Sequence, residues 1–249
     1  PVWIDIPLDV QAAEIEPEKL RAYEPESETA DAPKAAIDKI RELLSAAKRP
    51  VLLVGNGVKA AGAETALQEL REKTGVPTLL TWKTIDLLDF DDPLYFGTPG
   101  GMGHRYANFV LQNADLLVVL GSRLDSSLTA WNHANFAPHA QKIVIDIDPA
   151  ETDKLDMDIA VRIDGDLAEV LPLLAQESYE MSAELPAWRA YCARMKKKYP
   201  IITDEMRAET DFVDAHVFID ELSHQLTADD VIVPESSGGA GEITYQALR

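Results

Sequence analysis

Two rhythms of apolar and polar positions alternate along this chain from Pro33 onward. Short unbroken apolar runs are separated by longer stretches whose apolar residues recur every three or four positions. Ile37, Ile40 and Leu44 fall on one face at helical spacing. Val51-Leu52-Leu53-Val54 is a continuous run between Pro50 and Gly55, which predicts a strand buried on both faces. A helix is expected from about Ala60 to Lys73, with Leu67 and Leu70 inward and Gly75 just past its end. Pro77 to Thr81 reads as the next strand, and His104 to Gln112 as a short helix. Leu116 to Leu120, Lys142 to Ile147 and Val161 to Ile163 read as strands, and Asp166 to Leu174 as a helix. Strands that alternate with helices imply right-handed crossovers and a parallel sheet. The expected fold class is therefore α/β, a doubly wound parallel sheet. It forms a Rossmann-like middle domain over residues 33–177, with partial flanking α/β domains.

The flanks have a different texture. Within residues 1–32, Val2 to Ile6 alternates apolar and acidic side chains and stops at Pro7, as a short strand would. Glu14 to Ala32 is rich in Glu, Pro, Ala and Ser without an apolar period, which is linker composition. Within residues 178–249, Ser178 to Glu184 is a second linker. Pro186 to Lys198 is an expected helix whose basic end suits the helix dipole. Phe212 to Leu226 is expected to be helical, with Val213, Val217 and Leu222 inward. Val231-Ile232-Val233 is an expected strand that runs into Pro234 and a glycine-rich turn. The start without Met, and the end on a strand with no sheet to join, predict a piece of a longer protein.

The 249 residues carry a formal net charge of -20, which repels phosphate backbones and anionic membrane surfaces. Nucleic acid and membrane are accordingly not expected partners. No apolar run approaches the roughly 20 residues that span a bilayer, and a cytoplasmic protein fits best. The lone Cys192 excludes an internal disulfide and any multi-cysteine metal site. Its neighbours Arg189, Arg194 and Lys196 can lower its pKa; inert packing on a helix is the plainer reading. The five histidines show no metal-ligand spacing, and no nucleophile with a partnered base is visible. No catalytic residue and no metal ligand is assigned within the chain. Asn132-His133 beside Trp131 and Phe136 reads as packing.

Ligands of parallel α/β sheets bind beyond the carboxyl ends of the strands. Four loops lie there. Gly55-Asn56-Gly57 through Gly62 follows a strand and opens a helix, but its spacing is wrong for a dinucleotide fingerprint. A tight turn in which Gly62 allows close packing is the alternative. In Gly97 to Asn108, four glycines precede a helix start. Free amides near Gly103, with Arg105, can hold a phosphate there; a surface loop is the alternative. In Gly121-Ser122-Arg123-Leu124-Asp125 the glycine can let a ligand approach the backbone, and Arg123 can pair with a phosphate. An Arg123–Asp125 pair that holds the turn is equally open. In Asp146-Ile147-Asp148-Pro149 the carboxylates can bind ribose hydroxyls or a metal, while Pro149 favours Asp148 as a helix cap.

Taken in order, these segments resemble a known family. Gly97-x-x-Gly100-x-x-Gly103-x-x-Tyr106-Ala107-Asn108, Gln112 to Leu117, Leu120 to Asp125, Phe136-Ala137-Pro138 and Ile145 to Glu151 together resemble the middle domain of acetolactate synthase large subunits. Pro1 to Gln11 resembles the last strand of that family's pyrimidine-binding domain, and Asp230 to Gly238 the first strand of its diphosphate-binding domain. The resemblance implies a thiamine-diphosphate-dependent enzyme that decarboxylates a 2-keto acid and passes the carbanion to an acceptor. It implies Mg²⁺, whose ligands lie outside this chain, and FAD held by Gly103, Arg105, Asn108, Gly121, Ser122, Arg123, Asp146 and Asp148. Ser236, Ser237, Gly238 and Gly239 would lie against the thiamine diphosphate phosphates. It further implies a homo-oligomer, a dimer or tetramer. The sequence departs from the family at Met102, at Ser126-Ser127 and at Thr129 to Asn132, so another 2-keto-acid decarboxylase or carboligase is open. The segments that should carry the activating glutamate and the metal ligands are absent from this sequence, which predicts that the chain alone is inactive. The alternatives are a non-catalytic FAD- or ADP-binding module and a structural assembly domain.

Overall fold

The computed structural model describes residues 3–22, 34–227, 229–234 and 239–249. The Rossmann-like expectation holds. α1 (Lys34–Ala46), β1 (Pro50–Val54), α2 (Glu64–Thr74), β2 (Thr78–Leu80), α3 (Arg105–Asn113) and β3 (Leu116–Leu120) come first. β4 (Gln141–Asp146), β5 (Val161–Asp164), α4 (Leu167–Gln176), α5 (Leu185–Lys198), α6 (Ala215–Ser223) and α7 (Gly239–Ala247) follow. The five strands form one sheet in the order β2-β1-β3-β4-β5, parallel throughout.

The unbroken apolar runs follow from this position. Every residue of β1, β2 and β3 is buried. Alternate side chains face opposite layers. Leu52 and Val54 join one core with Ile40, Leu70 and Leu171, from α1, α2 and α4. Val51 and Leu53 join the other with Val110, Leu111, Trp188 and Cys192, from α3 and α5. The Asp115 carboxylate accepts the Arg49 and Lys48 amides at 2.8 and 3.0 Å, which ties the entry of β1 to the entry of β3. Helix α5 is locked to the sheet by the Trp188 indole, which donates to the Pro50 carbonyl at 3.0 Å. Burial pushes the Cys192 thiol up, so the nearby cations do not activate it.

Several expectations need correction. The helix expected from Ala60 is split: Gly57–Ala60 is a single turn, and α2 starts only at Glu64. Between them Gly62 holds φ +62°, and a Cβ there would meet nothing within 4 Å, so it provides the turn and no close packing. Helix α6 starts at Ala215 because the Asp214 carboxylate caps the His216 and Val217 amides. Phe212 and Val213 therefore lie outside it and are exposed. Trp3 to Ile6 and Val231 to Val233 form no strand. A strand-like pattern forms a strand only where it pairs with a neighbour, and neither segment joins the sheet. Trp131 is exposed, and the ring of the nearby His133 accepts the Asp156 amide at 3.0 Å. Asn132 caps the turn His133–Asn135, while Phe136 is buried in the core beside α3 and α5, so the packing falls on Phe136 and not on Trp131.

Candidate functional site

The strand order places a switch point between β1 and β3. The chain leaves β1 toward β2 on one side and later returns to β3 on the other. At such points the loops diverge and leave a crevice. A cavity of about 530 Å³ opens there, within the range of small-molecule sites. Its walls are the loops after β1 (Gly55 to Gly57), β2 (Thr81 to Lys83) and β3 (Gly121 to Arg123), together with Asp146 at the end of β4.

The glycines of these loops serve the protein's own backbone. A Cβ on Gly55 would stand 2.3 Å from the Gly121 carbonyl oxygen, and one on Gly57 would stand 2.7 Å from the Gly121 Cα. The Gly57 amide donates to the Gly121 carbonyl at 2.9 Å. The space beside Gly121 is thus filled by the β1 loop, and Ser122 and Arg123 extend the cavity wall beyond it. The Ser122 and Arg123 amides have no hydrogen-bond acceptor among the described residues, so they are free for an anion.

The glycine-rich loop before α3 is folded on itself. The Asn108 carboxamide accepts the Gly100 amide at 2.8 Å and donates to the Gly100 carbonyl at 3.0 Å. The Gly101, Gly103 and His104 amides go to Ser127, Gly100 and Thr98 carbonyls. A Cβ on Gly103 would meet the Thr98 carbonyl oxygen at 2.2 Å. Asn108 therefore shapes the cavity wall from behind. Asn108→Ala should lower stability by about 2 kcal/mol, the sum of two net hydrogen bonds, as read by urea denaturation. Arg105 turns away from the cavity and lies over the Tyr199 ring, 4.6 Å from its centroid.

The two carboxylates after β4 part company. Asp148 caps the turn Pro149–Asp153 by accepting the Ala150 amide at 2.9 Å. Asp146 faces the cavity and accepts the Asp148 amide at 3.1 Å. Desolvation holds the Asp146 carboxyl above the usual range, and the nearby Glu151 and Asp148 charges add to it. Arg123 pairs with Glu151 at 3.2 Å and not with Asp125. The Asp125 carboxylate instead caps Ser126–Thr129. Most of the Arg123 guanidinium stays exposed.

Sequence reasoning missed part of the wall. Trp82 and Lys83 enter from the β2 loop, and Tyr245 and Gln246 from α7. The Trp82 and Tyr245 rings lie 5.8 Å apart. Nothing in the spacing marks these positions, because they meet only in the fold. Gly239 opens α7; Ser236, Ser237 and Gly238 lie outside the described residues. Among the described residues no three His, Cys, Asp or Glu side chains gather as a metal would need, and no helix is long and apolar enough to cross a membrane.

Comparison with known proteins agrees with this architecture. The family described as "Thiamine pyrophosphate enzyme, central domain" matches residues 37–174. The acetolactate synthase isozyme 2 large subunit of Escherichia coli (strain K12) is 34% identical over 237 residues, which cover 94% of this chain and 41% of that protein. The isozyme 1 large subunit of the same organism is 39% identical over 207 residues, 80% of this chain and 34% of that protein. The acetolactate synthase large subunit of Corynebacterium glutamicum is 36% identical over 240 residues, 93% of this chain and 37% of that protein. The chain thus spans about two fifths or less of the length of these relatives. By the match of its central domain, the chain belongs to the thiamine pyrophosphate enzyme family, and it is similar to acetolactate synthase large subunits.

Proposed function

We propose that this chain contributes the middle domain, residues 33–177, of a thiamine-diphosphate-dependent enzyme that decarboxylates a 2-keto acid and ligates the product to an acceptor. Residues 1–32 would belong to its pyrimidine-binding domain and residues 178–249 to the linker and start of its diphosphate-binding domain. Thiamine diphosphate with Mg²⁺ would supply the electron sink for loss of CO₂, and Ser236 to Gly239 would lie near its phosphates. The reading includes a cytoplasmic homo-oligomer, a dimer or tetramer, which light scattering of the whole protein would reveal. Release of CO₂ from pyruvate or a relative, dependent on added thiamine diphosphate, checks the catalytic part.

The observation that carries the reading for this chain is the cavity at the switch point. Its donors and acceptors suit FAD or ADP. The free Ser122 and Arg123 amides, the Ser122 hydroxyl and the Arg123 guanidinium offer donors to a diphosphate. The open acceptor on Asp146 offers itself to ribose hydroxyls. Trp82 and Tyr245 offer aromatic surface to a flat ring. In this reading Gly103, Asn108, Gly121 and Asp148 shape the loops and Arg105 braces α3.

Equilibrium dialysis of FAD and of ADP against the chain tests it. Asp146→Asn keeps an acceptor for the Asp148 amide, so stability should change by less than about 0.5 kcal/mol. Nucleotide affinity should fall about tenfold, as expected for loss of a charged hydrogen-bond acceptor. Retention of neither nucleotide by the wild-type chain would leave the cavity a purely structural feature and reject this half of the proposal.

A further inference from the structure

A second cavity, of about 580 Å³, lies between the segment from Phe90 to Phe96, the carboxyl end of α5 and the residues around α6 and α7. Its chemistry is unlike the rest of the surface. On a chain of net charge -20, four cationic side chains line it (Lys196, Lys197, Arg207 and Arg249) against three acidic ones (Asp91, Asp92 and Asp220). Two of the acids already have partners. Asp92 pairs with the buried Arg71 at 2.7 Å. Asp220, fully buried, is held by both Arg207 and Arg249. Asp91 remains, and it acts on Lys196 only through space.

Lys196 is the centre of this arrangement. Its ammonium donates to the Phe90 carbonyl at 2.9 Å and to the Tyr95 carbonyl at 3.3 Å. It lies over the Phe90 ring, 4.6 Å from the centroid. An ammonium has three donors, so one is left, and no carboxylate stands within ion-pair distance among the described residues. Burial pushes the Lys196 pKa down, against the pull of Asp91 and Asp92. The Tyr106 hydroxyl, on a residue of the same wall, is buried without a hydrogen-bond partner among the described residues. Phe90 and Ile201 provide apolar surface beside these two groups. A partly desolvated cation with a spare donor, an orphaned hydroxyl and an apolar wall together form the recognition pattern for a small organic anion.

We propose that this cavity is a second ligand site, which takes a small carboxylic acid. Its carboxylate meets Lys196, and its apolar body lies against Phe90 and Ile201. The site shares the Gln246 wall with the switch-point cavity, but Lys196, Phe90 and Ile201 line only this one.

The test uses the full chain labelled with carbon-13 lysine, in which the Lys196 Cε resonance is assigned by its absence from Lys196→Met. Phenylacetate and inorganic phosphate are titrated separately. The proposal expects a saturable shift of the Lys196 resonance with phenylacetate at millimolar concentration and a much weaker response to phosphate. Ile201→Asp, which sets a negative charge on the apolar wall and leaves Lys196 in place, should weaken phenylacetate binding by roughly thirtyfold or more. An unchanged melting temperature in that variant separates lost binding from lost folding. No saturable shift with phenylacetate overturns the proposal. So does a response to phosphate that equals or exceeds it, or phenylacetate binding that survives Ile201→Asp.

Discussion

Gly121→Val is expected to lower the stability of the fold by about 3 kcal/mol or more, through left-handed strain and overpacking together. Gly121 has φ +59°, a conformation that a β-branched residue strongly disfavours. A Cβ there would stand 2.6 Å from the Gly57 Cα and 2.8 Å from the Leu167 Cδ1. Neither neighbour can move cheaply, because Gly57 is bonded to Gly121 through its own amide and Leu167 is buried at the start of α4. Gly62→Ala is the natural comparison. Its φ is +62° but its surroundings are empty, so only the conformational strain of about 1 kcal/mol applies. Urea denaturation of both variants distinguishes the two effects. A Gly121→Val protein no less stable than Gly62→Ala would contradict the close contact between the β1 and β3 loops.

The second large effect is a loss of stability in acid that depends on His104. Its ring is buried, with Nδ1 accepting the Thr98 amide at 2.7 Å, so the proton sits on Nε2, which faces the Gln246 carbonyl at 3.0 Å. Burial pushes the His104 pKa from 6.5 down to about 4. As pH falls through 6.5 the unfolded chain takes up a proton that the folded chain refuses. The stabilisation is therefore fully present above that pH and is lost as pH falls toward 4. A shift of this size corresponds to about 3 kcal/mol. His104→Gln keeps one acceptor and one donor but does not titrate. Urea denaturation at about pH 7 and about pH 4 should show a smaller loss in the variant than in the wild type, by roughly that amount. Equal losses would contradict the neutral, buried imidazole. The same ring joins the glycine-rich loop to α7, and Gln246 adds a bond to the Met102 carbonyl at 2.7 Å. Acid should therefore loosen one wall of the candidate site first.

These effects mark where the sequence was readable and where it was not. Strands β1, β3 and β4 announced themselves because both faces of a parallel sheet are covered, so the apolar run has no polar interruption. Pattern alone failed for Val231 to Val233 and for Trp3 to Ile6, which are strand-like but join no strand among the described residues. Glycine was the harder case. The spacing marks Gly121 as special, but whether a ligand or Gly57 occupies the space beside it depends on a loop far earlier in the chain. Ser122 and Asp146 were accessible to a general rule, since strand ends face the crevice. Arg105 and Asn108 sit in a segment that looks ligand-ready, yet they are spent on Tyr199 and on Gly100. Trp82 and Tyr245 carry no motif at all, and only the fold brings them together.

The most direct test of the central claim is CO₂ release from pyruvate, and from longer 2-keto acids, by the whole protein that carries this chain. It is measured after exhaustive dialysis against chelator and again after thiamine diphosphate and Mg²⁺ are restored. The account predicts no release in the first condition and recovery in the second with at least one 2-keto acid. No release from any of them with both restored, by a protein shown to be folded, would contradict it.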